Sequence, residues 1–401
     1  MRTQPEDAMT DTFTLEIPEQ VGLPVAAKRK AQTGPANAWP AGTRIVSADS
    51  HMLEHDIWIH KFPEHLKEWA PRIAFKDGGW QFWTKDRKMM PQEQAMGLCE
   101  AMECNPGFLD VEPRLKDLDA EGVEKELIFP QRLFGLYMAG DFDLREEIFG
   151  CYNEHIAEVC ARAPDRLFPV MIPNYWDPAK AEESVRRCKA LGAHCLMVPI
   201  NPRKDVDGED IAYNNPKMDP FFAAVAASGI PLCFHIGENI PTALPGAAGT
   251  FVLTQMQGFR PIFGALVFGG VFDRHPELQV VFVEGGICWV ASALHDADMI
   301  YTHFPTAMQP KLKHPPSWYW RNHCYATFMT DPAGLELLHR IGADRVMWSS
   351  DYPHQESTWG YTRSAIRAVF DATTVEKAQA IVGKTALRVF DMDRARPRTA
   401  D

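Results

Sequence analysis

The sequence predicts an α/β protein folded as a (β/α)8 barrel, with a lid inserted between strands 1 and 2 and an extended N-terminal arm. Three observations predict it. Eight short apolar runs recur between Ile45 and Ser350, most of them stopped by Asp, His, Glu, Asn or Pro. Helical stretches fill the gaps between the runs. The runs are continuously apolar rather than alternating, as in parallel strands covered by helices on both faces, and eight such units close a barrel.

Taken in order, residues 1–43 form the arm. Pro, Gln, Ala and Thr dominate there, no helical or strand period persists, and Lys28, Arg29 and Lys30 form a short basic run. That run reads as a solvated tail or a strap across a neighbouring subunit. The barrel is expected over 44–395. Its first strand, Ile45-Val46-Ser47-Ala48, stops at Asp49. An insertion over 52–120 follows, carrying Trp58, Trp69, Trp80 and Trp83 with Met89, Met90, Met96 and Met102. Long insertions after barrel strands sit at the catalytic face, so this one reads as a lid. Its aromatics suit either a small core of their own or stacking on a flat substrate.

The second strand, Lys125 to Phe129, stops at Pro130. Leu167 to Ile172, Cys195 to Ile200, Ile230 to Phe234, Val280 to Val283, Cys324 to Phe328 and Val346 to Ser350 complete the set. Helices are expected over Glu146 to Arg162, Pro178 to Leu191, Pro220 to Ser228, Trp289 to Met299 and Leu335 to Ile341.

Composition narrows the function classes. The 401 residues are 46% hydrophobic and 23% charged, as in a chain with a large buried core. A formal net charge of −12 argues against a general nucleic-acid binder. No apolar run approaches the ~18 residues of a membrane span. The first residues lack the basic-then-apolar pattern of a secretory signal. Nine scattered cysteines with no CxxC pair fit reduced thiols. A cytoplasmic protein is the expectation.

Four residues at strand ends carry the chemistry. Asp49 and His51 follow the first strand, and residues two apart in a strand point the same way. His235 ends the fifth strand and Asp351 the eighth. Singly, each reads as an ordinary hydrogen-bonded polar residue. Jointly, mixed nitrogen and oxygen donors at one mouth of a barrel suit a mononuclear Zn²⁺ or Mn²⁺ site. Arg132, after the second strand, is a natural fork for a substrate carboxylate, with a salt bridge to the lid as the competing reading. Dinucleotide, P-loop and nucleophile-elbow motifs are absent.

The ordered motifs Asp49-Ser50-His51, Pro164-Asp165-Arg166-Leu167, Phe234-His235-Ile236-Gly237, Phe272-Asp273-Arg274-His275-Pro276, Glu284-Gly285-Gly286 and Ser350-Asp351-Tyr352-Pro353-His354 resemble the amidohydrolase superfamily. The branch is the one that includes aminocarboxymuconate-semialdehyde and γ-resorcylate decarboxylases. The resemblance runs from about Arg44 to Asp391. It implies a barrel with one catalytic divalent metal held by Asp49, His51, His235 and Asp351. Two departures stand out. The first motif is Asp-x-His where His-x-His or Glu-x-His is common. The sixth strand ends in Glu284 where the decarboxylases often carry a His. Glu284 suits a general acid/base, a ligand of a second metal, or a structural role at the Gly-rich turn. His354 suits orientation of Asp351 or contact with substrate.

The leading expectation is a metal-dependent decarboxylase of a small aromatic or unsaturated carboxylate, with Glu284, His354 and Asp351 catalytic and Arg132 and Trp58 binding substrate. Zinc is the default ion, with manganese or iron as alternatives and Glu284 and His354 able to supply a second metal. The alternatives are a metal-dependent hydrolase of an ester, lactone or amide, a dinuclear iron or manganese oxygenase, and a non-catalytic barrel subunit. A homodimer or higher homo-oligomer is expected, with no nucleic-acid or membrane partner.

Overall fold

The computed structural model describes residues 39–54, 60–69, 72–76, 79–84, 87–88, 105–131, 133, 142–237, 250, 253–254, 259–354 and 356–394. The first barrel strand is split into β1 (Val46–Ser47) and β2 (His51–Met52). Strands β3 (Arg72–Lys76), β4 (Gly79–Thr84) and β5 (Arg87–Lys88) form a separate antiparallel sheet. The barrel continues with β6 (Lys125–Pro130), β7 (Leu167–Met171), β8 (Cys195–Val198) and β9 (Leu232–His235). It ends with β10 (Val280–Val283), β11 (Cys324–Phe328) and β12 (Val346–Trp348).

The sheet runs β1-β6-β7-β8-β9-β10-β11-β12, parallel throughout, with β2 also on β6. The first and last strands join: Asp351 donates its N–H to Asp49 O at 3.0 Å, and His51 to Tyr352 O at 2.8 Å. Ser47 and Ser350 brace this seam, hydroxyl to hydroxyl, at 3.0 Å. The eight expected strands are therefore the eight staves of a (β/α)8 barrel. Their residues are buried on both faces, which explains why each reads as an unbroken apolar run.

Helices follow the strands, including Phe142–Ala161, Ala181–Ala190, Asp219–Ser228 and Cys288–His303. Each overlaps the helix expected from sequence. The stretch expected as one helix from Leu335 to Ile341 is two, Pro332–Glu336 and Leu338–Ile341. Leu337 at the junction has left helical geometry, with φ −94° and ψ 9°.

Within the expected insertion, β3 and β4 pair from Arg72↔Trp83 to Lys76↔Gly79. Its last part, helix Val111–Glu121, packs into the barrel core through Val111 and Leu118. Trp58 and most of the expected arm lie outside the described residues. The arm's last residues rest on the barrel: Trp39 stacks on Phe370 with ring centroids 5.4 Å apart.

Candidate metal centre

The strand ends deliver the site. Asp49 leaves β1, His51 begins β2, His235 ends β9, Glu284 follows β10 and Asp351 follows β12. All five are buried. Glu284 and Asp351 have left-handed backbones, with φ of 70° and 52°. Such conformations are costly for residues other than Gly and persist where the surroundings hold them. Here they turn the chain sharply at a strand end and swing two carboxylates into the barrel mouth. Thr327 holds one of these turns by accepting the Glu284 N–H at 2.9 Å. Phe259 fills the space beside Gly285, where a Cβ would stand 2.3 Å from the ring.

The donors converge. His235 Nε2 lies 3.4 Å from Asp49 Oδ1. His51 Nε2 lies 3.5 Å from Asp49 Oδ1 and 3.4 Å from Asp351 Oδ1. Glu284 Oε2 is 3.4 Å from His235 Nδ1. One ligand atom from each of Asp49, His51, His235 and Glu284 falls within 4.8 Å of the others. Both imidazoles are oriented from behind. His51 Nδ1 meets Pro130 O at 2.8 Å, and His235 Nδ1 meets Ile236 O at 2.7 Å. With Nδ1–H donated to a carbonyl, each ring presents its Nε2 lone pair to the centre.

The donor set fits a divalent cation. Asp49 Oδ2 and Asp351 Oδ1 are buried and have no hydrogen-bond partner among the described residues. Buried carboxylate oxygens need a compensating charge or donor. Ligands ~2.0–2.3 Å from one ion stand ~2.8–3.8 Å apart at octahedral to tetrahedral angles, which matches the Asp49–His235, Asp49–His51 and His51–Asp351 separations. Imidazole with carboxylate suits zinc, manganese or iron.

The electrostatics of the metal-free site agree. Burial, with His354 alongside, holds His51 well below its ordinary value, so it is the neutral ligand a metal needs. Burial, with Asp351 nearby, pushes Glu284 up to about 8. Burial likewise pushes Asp351 up to about 7. His235 is raised to about 9: burial opposes its charge, but Asp49 and Glu284 outweigh that. Protons stand where a cation would balance three clustered carboxylates.

His354 lies at the rim. Its Nδ1 is 3.0 Å from Asp351 Oδ2 and 3.8 Å from Glu284 Oε1, and its ring stacks on His51 at 4.2 Å. It therefore reaches both Asp351 and the cavity side of Glu284. Arg132 lies outside the described residues.

Three supporting residues were not anticipated. Gln131 Oε1 meets His354 Nε2 at 2.6 Å, and buried Glu54 accepts the Gln131 N–H at 2.9 Å. Arg114, wholly buried, donates to His51 O at 2.7 Å, pairs with Glu126 and lies over the Tyr352 ring. Gln131 was open to the strand-end argument applied to its neighbour Arg132.

A family model described as amidohydrolase matches residues 56–392, and the chain belongs to that family. Gamma-resorcylate decarboxylase of Rhizobium radiobacter is 26% identical over 307 residues, covering 71% of this chain and 89% of that protein. An amidohydrolase from Mycobacterium avium subsp. paratuberculosis superposes with a TM-score of 0.73 at 20% identity, over 88% of this chain and 100% of that one. 5-Carboxyvanillate decarboxylase from Novosphingobium aromaticivorans, complexed with manganese and 4-hydroxy-3-methoxy-5-nitrobenzoic acid, superposes with a TM-score of 0.64 at 17% identity, over 90% and 99%. Among the described residues no helix is long and apolar enough to cross a membrane.

Proposed function

We propose that the protein is a metal-dependent carboxy-lyase acting on a small aromatic or unsaturated carboxylate. The observation that supports this reading is the buried cluster of Asp49, His51, His235 and Glu284, with Asp351 3.4 Å from His51 and His354 beside both Asp351 and Glu284. We assign Asp49, His51, His235 and Asp351 as ligands of one divalent ion. Zinc remains the default, and manganese gains support from the neighbour that binds it. The bound ion would anchor a substrate oxygen and stabilise the negative charge that develops during reaction.

The protein's own groups handle the proton. Glu284, whose carboxyl burial pushes up in the metal-free protein, can donate its proton to the ring carbon as the bond to the carboxylate breaks and CO₂ leaves. His354, 3.8 Å from Glu284 Oε1, can return a proton to it. The relatives' decarboxylase activities support this over hydrolysis. A second ion at Glu284 and His354 would instead mark the oxygenase alternative. We assign substrate binding to Arg132, a fork for the substrate carboxylate, and to Trp58. We read 1–43 as an arm, 52–120 as a lid and 44–395 as the barrel of a cytoplasmic homo-oligomer. Light scattering tests the assembly.

The test of function is elemental analysis of protein purified without added metal, with turnover of aromatic acids set against neutral esters and amides. One ion per chain and consumption of acids support the lyase. Two irons, or turnover of neutral substrates alone, overturn it.

A further inference from the structure

His354 is fixed at three points. Asp351 Oδ2 lies 3.0 Å from Nδ1, the ring stacks on His51 at 22°, and Gln131 Oε1 lies 2.6 Å from Nε2. The first contact comes from the turn that carries His354. The third comes from the far side of the seam, where Gln131 follows β6. Gln131 is itself held, because Glu54 accepts its backbone N–H at 2.9 Å. A single chain of contacts thus links the loops after the first, second and eighth staves.

We infer that Gln131 is the positioning residue for His354, holding the imidazole so that Nδ1 faces Asp351 and Glu284. An imidazole turns about its Cβ–Cγ bond in a broad, roughly two-fold well. Tied only at Nδ1, the ring can flip and point carbon at Glu284. Tied at both nitrogens, it gives up two hydrogen bonds on flipping. An amide also does this without adding charge to a site that already holds Asp49, Glu284 and Asp351. This inference rests on the proposed role of His354 beside Glu284.

The test uses full-length, zinc-loaded protein labelled with ¹⁵N-histidine. Wild type should show a slowly exchanging Nε2–H resonance that His354→Asn removes. Gln131→Leu should lose that resonance while keeping metal content and Tm. Its kcat should fall ~10-fold or more with KM nearly unchanged, and the same change in the His354→Asn background should cost nothing further. Gln131→Met, similar in reach but without an acceptor, should repeat this result if the Leu variant folds poorly. Persistence of the resonance in either variant, or equal loss of kcat in both backgrounds, overturns the inference. The resonance decides it even if no acid is turned over, so failure of the carboxy-lyase reading is seen separately.

Discussion

Asp49 Oδ1 lies 3.4 Å from His235 Nε2, across 186 residues of chain. The first and fifth staves of the barrel bring them together, and the contact exists only if the sheet closes. The same closure brings Asp351 to His51 at 3.4 Å. The candidate metal centre is thus a product of barrel topology.

Asp351→Asn removes the charge of one proposed ligand and keeps its shape. We expect loss of bound metal and loss of turnover, read by elemental analysis and kinetics on the same sample. Wild-type activity in this variant would remove Asp351 from the site.

Glu284→Gln separates proton transfer from metal binding. The variant should hold its ion while kcat falls ~10²-fold or more. A drop in metal content instead would make Glu284 a ligand.

The pH dependence follows from proton uptake on folding. Glu284 is raised from 4.5 to about 8 and His235 from 6.5 to about 9 in the metal-free protein. Both bind protons more tightly folded than unfolded, so stability is lost as pH rises, from about 4.5 to 8 for Glu284 and from about 6.5 to 9 for His235. His51 shifts the other way and opposes this only below about 6.5, leaving the net fall clear above that pH. Metal-free protein should therefore show a falling Tm between about pH 6.5 and 9, while metal affinity rises as protons leave the site. A metal-free Tm that climbs with pH would contradict the charge arrangement.

Arg114→Met leaves Glu126 buried without its partner and frees the His51 carbonyl. Breaking a buried pair this way costs ~3–5 kcal/mol, so denaturant melts should shift strongly. An unchanged midpoint would mean that the pair contributes nothing to the fold.

The barrel and the polar residues at its strand ends were legible because the staves are buried on both faces. Their apolar runs end abruptly, and the polar residues after the first, sixth and eighth runs, Asp49, Glu284 and Asp351, lie in the buried clusters at the mouth. Gln131, Glu54 and Arg114 were not legible. Each is an ordinary polar residue in sequence, and its meaning comes from partners far along the chain, as in the 223-residue separation of Gln131 and His354. The sheet of β3 to β5 was also missed, although Asp77-Gly78 between β3 and β4 is a hairpin signal in the sequence itself. The early start at Pro332 reflects Asp331, which caps the first short helix by accepting the Gly334 N–H at 2.8 Å.

The most direct measurement of metal-dependent decarboxylation is ¹³CO₂ release from hydroxybenzoates labelled at the carboxyl carbon, using metal-stripped and metal-restored protein. The restored enzyme should release one ¹³CO₂ per acid consumed, and the stripped protein none. Acid consumed without ¹³CO₂, or equal release from both samples, would contradict metal-dependent decarboxylation.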